Sequence, residues 1–275
     1  MAECNHDCAN CSSNCSDRTK PQSFLLPQNS KSKIRNVIAV VSGKVGVGKS
    51  LVTSLLASET ARRGFSTAVL DADITGPSIP KAFGLKDKAT GDEEGFYPVC
   101  SSLGIKVMSL NLLLDNDSAP VVWRSPIIVN SVKQFWTDVV WGDVDYMFVD
   151  MPPGTGDVPL TVFQSLPING IVIVTTPQEL VEMIVEKAVR MADLMHVPVM
   201  ALVENMSYLE CPDCGKHIAV FGESHVEETA ERFHIDTFAR IPIDSDLSKA
   251  SDSGIIERYY SNWLNDVLAK IGAVR

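Results

Sequence analysis

The sequence predicts an α/β fold in which a doubly wound, mostly parallel sheet carries helices on both faces. Short runs of β-branched and apolar residues alternate with longer segments of helical period, and the first run leads directly into a glycine-rich turn. The 275 residues, 45% of them hydrophobic, are enough to build a large buried core. The predicted strands are 37–41, 67–70, 106–110, 146–149, 171–175 and 199–203.

Three segments between these strands have the spacing of amphipathic helices. They are 49–63, 126–140 and 178–195, and we expect them to cover the two faces of the sheet. The polar interval 86–94 breaks the alternation and predicts an exposed loop. The stretch 255–268 is amphipathic, but its polar face carries mixed charge, whereas membrane-surface helices normally have a basic one. It therefore predicts a packed terminal helix.

Composition and charge exclude several classes of protein. The chain has 24 Lys and Arg against 34 Asp and Glu, a net charge of -10, which disfavours general nucleic-acid binding. Its longest apolar runs are far below the roughly 18 residues that span a bilayer. The first seven residues have neither the basic start nor the apolar core of a signal peptide. We expect a cytoplasmic protein that binds neither nucleic acid nor membranes.

The chain divides into a tail and a domain. Residues 1–35 contain four cysteines followed by a Ser-, Lys-, Asn- and Pro-rich stretch at 21–33, which predicts a flexible, cysteine-bearing tail and linker. Residues 36–275 are predicted to form the domain, with a cysteine-bearing insert at 208–222.

A phosphate-binding loop follows the first predicted strand. The run Gly-Lys-Val-Gly-Val-Gly-Lys-Ser matches G-x-x-x-x-G-K-[ST] between a strand and a helix, which is the context that a P-loop requires and a chance glycine turn lacks. Its backbone N–H groups can cradle phosphates, Lys49 can reach the β- and γ-phosphates, and the Ser50 hydroxyl can ligate Mg²⁺. The predicted nucleotide-binding residues are Gly43, Lys44, Val45, Gly46, Val47, Gly48, Lys49 and Ser50.

Carboxylates end two other predicted strands at the edge where ligands bind in open α/β sheets. Asp150 ends the strand 146–149 and is placed to hold Mg²⁺, while the Pro- and Gly-rich loop 150–157 is placed to sense the γ-phosphate. Asp71 and Asp73 end the strand 67–70. Asp73 can orient the attacking water or simply cap a turn before Gly-Pro, and position alone leaves both open.

Six motifs occurring in order across about residues 34–258 resemble the Mrp/ApbC iron-sulfur cluster carriers. These are deviant-Walker P-loop ATPases, a class that includes MinD and the nitrogenase iron protein. The matching segments are Lys44 within the P-loop, 71–80, 122–126, 150–157, 174–178 and 203–207.

The resemblance implies a homodimer that binds ATP and Mg²⁺, hydrolyses ATP slowly and delivers clusters to apo iron-sulfur proteins. It implies that Lys44 crosses to the partner's nucleotide and joins Lys49, Asp73 and Asp150 as the candidate catalytic residues. Asn205 would face the adenine base.

Two residues depart from the family pattern, because Val45 and Ser125 stand where the family usually has glycine. A β-branched residue forced to positive φ stores about 1 to 3 kcal/mol of strain. If position 45 requires that conformation, we expect weak ATP hydrolysis.

Cys211 and Cys214 form a C-x-x-C pair whose Pro and Gly turn both sulfurs toward one ion. Two ligands do not close a metal site. The spacing alone favours zinc completed by His217 or His225, and a redox pair is a third interpretation. The resemblance instead implies a [4Fe-4S] cluster bridging two chains, because a twofold axis turns one pair into four thiolates.

The tail holds four more thiols within twelve residues, at Cys4, Cys8, Cys11 and Cys15. That number suits one tetrahedral metal or one cubane cluster. A second iron-sulfur cluster, zinc and unligated thiols stay open as interpretations. Cys100, which has no neighbouring cysteine in the sequence, is expected to be an ordinary semi-buried residue.

Three functions follow from these motifs. The first is an ATP-binding carrier of a [4Fe-4S] cluster, in which bound nucleotide sets the geometry of the dimer. The alternatives are a MinD-like spatial regulator without a cluster and an ATP-gated electron donor.

Overall fold

The structure, a computed structural model, describes residues 24–73, 78–113, 125–154, 156–177 and 181–274. The tail cysteines Cys4, Cys8, Cys11 and Cys15 lie outside these ranges. So do parts of the segments that carry the family resemblance, at 74–77, 122–124, 155 and 178.

The described residues form twelve strands and eight α-helices. The strands are β1 (Lys33–Ser42), β2 (Thr67–Asp71), β3 (Thr90–Asp92), β4 (Gly95–Tyr97), β5 (Val99–Cys100), β6 (Lys106–Met108), β7 (Asp143–Asp150), β8 (Gly170–Thr175), β9 (Val199–Glu204), β10 (Leu209–Glu210), β11 (His217–Ile218) and β12 (Phe238–Arg240). The helices are α1 (Lys49–Arg62), α2 (Ser78–Ala82), α3 (Ser125–Thr137), α4 (Asp157–Ser165), α5 (Val181–Leu194), α6 (Val226–Arg232), α7 (Ser245–Asp252) and α8 (Asn265–Lys270).

Eight of the described strands form one sheet in the order β12-β9-β8-β1-β7-β2-β6-β5. All neighbouring pairs are parallel except β5 and β6 at one edge. The central strand β1 lies between β7 and β8. This arrangement confirms the predicted doubly wound, mostly parallel sheet.

Alternate residues of the central strand face two separate cores. Val37, Ala39 and Val41 pack in a buried cluster with residues of α3, α4, α5 and α6. Ile38 and Val40 pack in a second cluster with residues of α1, α2, α7 and α8. A strand covered on both faces must be apolar at nearly every position, which is why the buried part of β1, residues 37–41, is a continuous apolar run.

The six predicted strands are all present, and one of them is shorter than expected. The strand predicted at 106–110 ends at Met108, because the chain turns into a 3-10 helix at Leu110–Leu112 that the Ser109 hydroxyl caps. The loop predicted at 86–94 also needs correction, since its end forms β3, which pairs with β4 as a hairpin.

The C-terminal stretch is packed, as expected, but it is not one helix. It contains a 3-10 turn at Ile256–Arg258 and the short helix α8. Ile256, Leu264 and Val267 are buried in the core beneath α1. In the described part of the chain, the helices are too short or too polar to cross a lipid bilayer.

The described part of the linker lies against the domain. The backbone N–H of Leu26 donates to Ser165 O at 2.9 Å, and Trp136 Nε1 donates to Leu26 O at 3.0 Å. Ser32 Oγ donates to Val139 O at 3.1 Å. The first strand begins at Lys33, three residues before the expected start of the domain at 36.

Candidate functional site

The carboxyl ends of the parallel strands bring the predicted nucleotide residues to one edge of the sheet. The P-loop joins β1 to α1, Asp150 ends β7, Asp71 ends β2 and Asn205 follows β9. The order β9-β8-β1-β7-β2 places these strand ends side by side around the centre of the sheet. This is the crevice in which doubly wound folds bind ligands.

Two P-loop glycines have backbone conformations that other residues rarely adopt. Gly46 and Gly48 have φ values of +84° and +82°. A Cβ atom at Gly48 would lie 2.2 Å from Asn205 Nδ2, whereas a Cβ at Gly46 would meet no heavy atom within 4 Å. Position 48 therefore needs glycine both for its backbone and for the close approach of Asn205.

Val45 does not have the strained, positive-φ backbone that was considered because the family usually has glycine at this position. Among the described residues, the non-glycine residues with positive φ are His196, Met206 and His234. Val45 is 80% exposed. A β-branched residue is accommodated in this conformation of the P-loop without left-handed backbone.

Lys49 lies at the centre of a carboxylate cluster. Its Nζ is 2.8 Å from Asp150 Oδ2 and 3.3 Å from Asp73 Oδ2, and the lysine is only 6% exposed. Burial disfavours the charged ammonium, but the charges of Asp150 and Asp73 outweigh it and raise the pKa of Lys49. The ammonium is thus firmly protonated, as pairing with phosphates requires.

Asp150 is held by two hydroxyl groups of α1 as well as by Lys49. Ser50 Oγ donates to Asp150 Oδ2 at 2.6 Å, and Thr53 Oγ1 lies 2.7 Å from Asp150 Oδ1. A hydroxyl and a carboxylate side by side are the hard oxygen ligands that Mg²⁺ takes beside nucleotide phosphates, so these residues fit the ion. Thr53 was missed from the sequence, although it lies three residues after Ser50 on the same face of the helix.

Asp71 is a buried carboxyl group behind this cluster. Its Oδ1 accepts a hydrogen bond from the Asp73 backbone N–H at 3.1 Å, which links the two residues. Burial, together with the nearby charge of Asp150, raises the pKa of Asp71 well above its usual range. Asp73, by contrast, lines the cleft over the P-loop.

The cleft over the P-loop has a volume of about 410 Å³. Its walls come from the P-loop, from Asp73, from Pro153 after β7, and from Ser78 and Ala82 of α2 and Ser251 of α7. Lys44 also lines this cleft and is half-buried. The cleft therefore exposes the phosphate-binding loop and its carboxylates together.

Asn205 fastens the end of β9 to the P-loop. Its side chain is 2% exposed, and Nδ2 donates to Val47 O at 2.9 Å. Its backbone N–H donates to Thr175 O at the end of β8 at 2.8 Å. This support of the loop is an additional feature that the sequence did not reveal.

Cys211 and Cys214 lie in a hairpin turn between β10 and β11. Leu209 pairs with Ile218 and Glu210 with His217, and the Cys211 N–H donates to Lys216 O at 2.9 Å. Gly215 closes the turn at a φ of +70°. The backbone N–H groups of Asp213 and Cys214 point at the Cys211 sulfur and lower its pKa. The turn therefore favours the thiolate form that binds metals.

Neither of the two histidines that could complete a single-chain zinc site is grouped with Cys211 and Cys214 in the structure. The His217 ring stacks on Tyr208 with its centroid 3.9 Å away, and His225 Nδ1 lies 2.9 Å from Glu228 Oε2. Within the described residues, no three His, Cys, Asp or Glu side chains are grouped so as to hold a metal ion. This part of the chain thus supplies the C-x-x-C pair alone. Cys100, expected to be semi-buried, is exposed on the edge strand β5.

Comparisons with known proteins show which family the chain resembles. Residues 33–271 match a ParA-type family model described as NUBPL iron-transfer P-loop NTPase. An iron-sulfur cluster carrier protein of Clostridium perfringens is 48% identical over 234 residues, covering 82% of each chain. A carrier protein of Methanocaldococcus jannaschii is 42% identical over 264 residues, covering 93% of this chain and 90% of its own.

Solved structures show the same architecture. A nucleotide-binding protein from Archaeoglobus fulgidus in complex with ADP has a TM-score of 0.77 and 48% identity, covering 84% of this chain and 91% of its own. The septum site-determining protein MinD of Pyrococcus horikoshii with Mg-ADP has a TM-score of 0.53 at 17% identity, covering 87% of this chain and 95% of its own. The second likeness concerns the fold alone.

Proposed function

The chain belongs to the NUBPL-type iron-transfer P-loop NTPases, and on this premise we propose that it is an ATP-dependent carrier that delivers iron-sulfur clusters to apoproteins. The observation that carries the proposal is the connection between its two sites. The P-loop and the C-x-x-C hairpin both follow strands at one edge of the sheet. Asn205, at the end of the strand β9 that precedes the hairpin, is joined to Val47 of the P-loop by a 2.9 Å hydrogen bond.

The cargo proposed for the hairpin is a [4Fe-4S] cluster held between two copies of the chain. Each chain offers Cys211 and Cys214, and a cubane cluster takes four thiolates. A twofold axis through the cluster supplies the missing pair. The exposure of Cys214 and the lowered pKa of Cys211 support this site, because both make the thiolates accessible to a partner and to iron.

Nucleotide chemistry is assigned to the cluster of charged residues around Lys49. The P-loop N–H groups and Lys49 would bind the phosphates, and Ser50 with Asp150 would hold Mg²⁺, which neutralises charge on the phosphates when bound. Asp73, in the cleft, would orient the attacking water. Lys44 would reach the partner's nucleotide, and Asn205 would lie near the adenine. We propose that ATP hydrolysis is slow, because in a switch of this kind the functional output is the change of conformation and not the number of ATP molecules turned over.

The amino-terminal cysteines are proposed to hold a second metal centre. Cys4, Cys8, Cys11 and Cys15 supply enough thiols for one cluster or one zinc ion. Thiols kept free for metals indicate a reducing compartment, so the cytoplasm is the proposed location.

Metal analysis of anaerobically purified protein tests the proposal. Iron, sulfide and zinc are measured together with electronic absorption on three full-length proteins. These are the natural chain, a Cys211→Ala/Cys214→Ala variant, and a variant with serine at positions 4, 8, 11 and 15. We expect the serine variant to dimerise with about four iron and four sulfide per dimer, and the double alanine variant to lose this cluster.

Two results would overturn the proposal. About one zinc per chain in a monomeric serine variant would make the C-x-x-C pair structural. A cluster that cycles reversibly by one electron but never activates an apo-[4Fe-4S] enzyme would indicate an electron donor.

A further inference from the structure

The C-x-x-C hairpin is held mainly at its base. Residues 209–223 are exposed, apart from the half-buried Cys211. A two-stranded hairpin with so little buried surface has little stability of its own. Its orientation, and with it the position of both thiols, therefore depends on contacts where it leaves the domain.

An aromatic stack forms this base. The ring of Tyr208, just before β10, lies 3.9 Å from the His217 ring on β11, with 21° between the planes. The Arg240 guanidinium also lies over Tyr208, with Cζ 5.2 Å from the ring centroid. The stack joins both strands of the hairpin to β12 of the main sheet, since β12 ends at Arg240.

Arg240 continues the connection into the end of β9. Its Nε donates to Ser207 Oγ at 2.7 Å, and Ser207 Oγ donates to Glu204 Oε1 at 2.6 Å. Glu204 is 1% exposed and pairs with Arg240 in the sheet register. A buried carboxylate with charge-assisted hydrogen bonds fixes its partners firmly.

The same strand end reaches the nucleotide loop. Asn205 follows Glu204 and donates to Val47 O, which belongs to the same peptide unit as the Gly48 N–H. In a P-loop, N–H groups at this point bind phosphate. A phosphate bound to the Gly48 N–H therefore shifts this peptide unit and, through the hydrogen bond to Val47 O, the Asn205 side chain. Asn205 is two residues from Ser207 in the chain.

We propose that Tyr208, His217 and Arg240 are positioning residues that fix the C-x-x-C hairpin and transmit nucleotide occupancy from the P-loop to the thiols. The inference rests on the proposed function only in taking these thiols as the ligands of the cargo. It explains how a nucleotide bound at the P-loop after β1 can change the position and reactivity of thiols in the exposed hairpin that follows β9.

The test measures thiol reactivity in the metal-free, full-length protein. Alkylation of Cys211 and Cys214 by iodoacetamide is followed by mass spectrometry with and without Mg-ATP. We expect Mg-ATP to slow alkylation at both positions by about fivefold in the natural chain, a coupling typical of linked sites. No change with nucleotide would overturn the inference.

Matched variants separate the stack from a general structural role. Tyr208→Leu and His217→Ala should abolish the nucleotide response while leaving the dissociation constant for ATP within about twofold. Tyr208→Phe and His217→Phe keep the stacked rings and should retain the response. Because His217 is exposed, its variants leave the buried core intact and keep the test valid if Tyr208→Leu fails to fold.

The results that test the positioning role are distinct from those that test the carrier function. A full nucleotide response in His217→Ala, or its loss in His217→Phe, would overturn the positioning role even if the protein carries a cluster. Absence of a cluster from reconstituted natural protein would refute the carrier function, while the alkylation assay would still decide the positioning role.

Discussion

Asn205 and Val47, 158 residues apart in the chain, are joined by a hydrogen bond from the asparagine amide to the P-loop carbonyl. The bond is buried, so its loss leaves an unpaired acceptor beside the nucleotide site. We expect Asn205→Ala to weaken ATP binding about tenfold, which is roughly 1.4 kcal/mol. Asn205→Asp, of the same shape but with an acceptor facing the carbonyl, should weaken it further. Calorimetric titration with ATP measures both.

Parallel titrations with GTP separate the two roles of Asn205. If the residue supports the loop, Asn205→Ala should reduce ATP and GTP affinity by similar factors. A loss confined to ATP would assign Asn205 to the adenine base alone.

Gly48 and Gly46 offer a matched pair of alanine substitutions. Both have similar positive φ values, so both substitutions add backbone strain of about 1 kcal/mol or more. Only at Gly48 would the new Cβ collide with Asn205, at 2.2 Å. We expect Gly48→Ala to lower the free energy of unfolding and ATP affinity more than Gly46→Ala does. If the two substitutions had equal effects in urea unfolding and in nucleotide titration, the Asn205 side chain would be able to move away from the new Cβ atom without loss of stability or affinity.

Lys49→Met should separate ATP binding from cluster binding. The substitution removes the ammonium that lies 2.8 Å from Asp150 and 3.3 Å from Asp73, and it leaves phosphates facing carboxylates. We expect ATP affinity to fall by about 100-fold or more, roughly 2.7 kcal/mol, while Cys211 and Cys214 keep their cluster. ATP-dependent delivery to an apoprotein should then cease.

Lys44→Met is the control for this experiment, because it makes the same chemical change within the same loop. If Lys44 acts on the partner's nucleotide, ATP binding should stay within about threefold of the natural chain while hydrolysis falls. Intact delivery in Lys49→Met would refute the coupling of ATP to transfer.

The sequence predicted the features that depend on local patterns. The run from β1 through the P-loop to α1 was recognisable because glycine spacing and apolar runs are properties of neighbouring residues. The carboxylates Asp71 and Asp150 were found for the same reason, since each ends an apolar strand. Their meeting at one edge follows from the parallel sheet.

Features that depend on distant contacts were not predictable. The strand β12 has only three residues, too few for an alternating pattern to stand out. The spacing of Cys211, Cys214 and His217 does not report ring orientation, so the stacking of His217 on Tyr208 could not be predicted from it. The bond from Asn205 to Val47 arises only when β9 is seated two strands from β1.

The lowered pKa of Cys211 predicts a pH dependence of its alkylation. The backbone N–H groups of Asp213 and Cys214 stabilise the thiolate, and the thiolate is the form that reacts. The alkylation rate should therefore rise with pH and reach its half-maximum at a lower pH than in a cysteine peptide of the same local sequence. Mass spectrometry of metal-free protein between pH 6 and about 10 measures the midpoint, with urea-unfolded protein as the control. Equal midpoints in folded and unfolded protein would contradict the effect of the turn.

Val45 tests whether the departure from the family glycine limits ATP hydrolysis. Because Val45 lacks positive φ and its side chain is 80% exposed, Val45→Gly relieves no strain in the loop. We expect the free energy of unfolding to fall by about 0.5 to 1 kcal/mol, since glycine gives the unfolded chain more freedom. The ATPase rate should stay within about twofold of the natural chain. Val45→Ala is the control, because it shortens the side chain but keeps the Cβ atom. A tenfold faster Val45→Gly with an unchanged Val45→Ala would mean that turnover passes through a left-handed backbone at position 45, which valine then hinders.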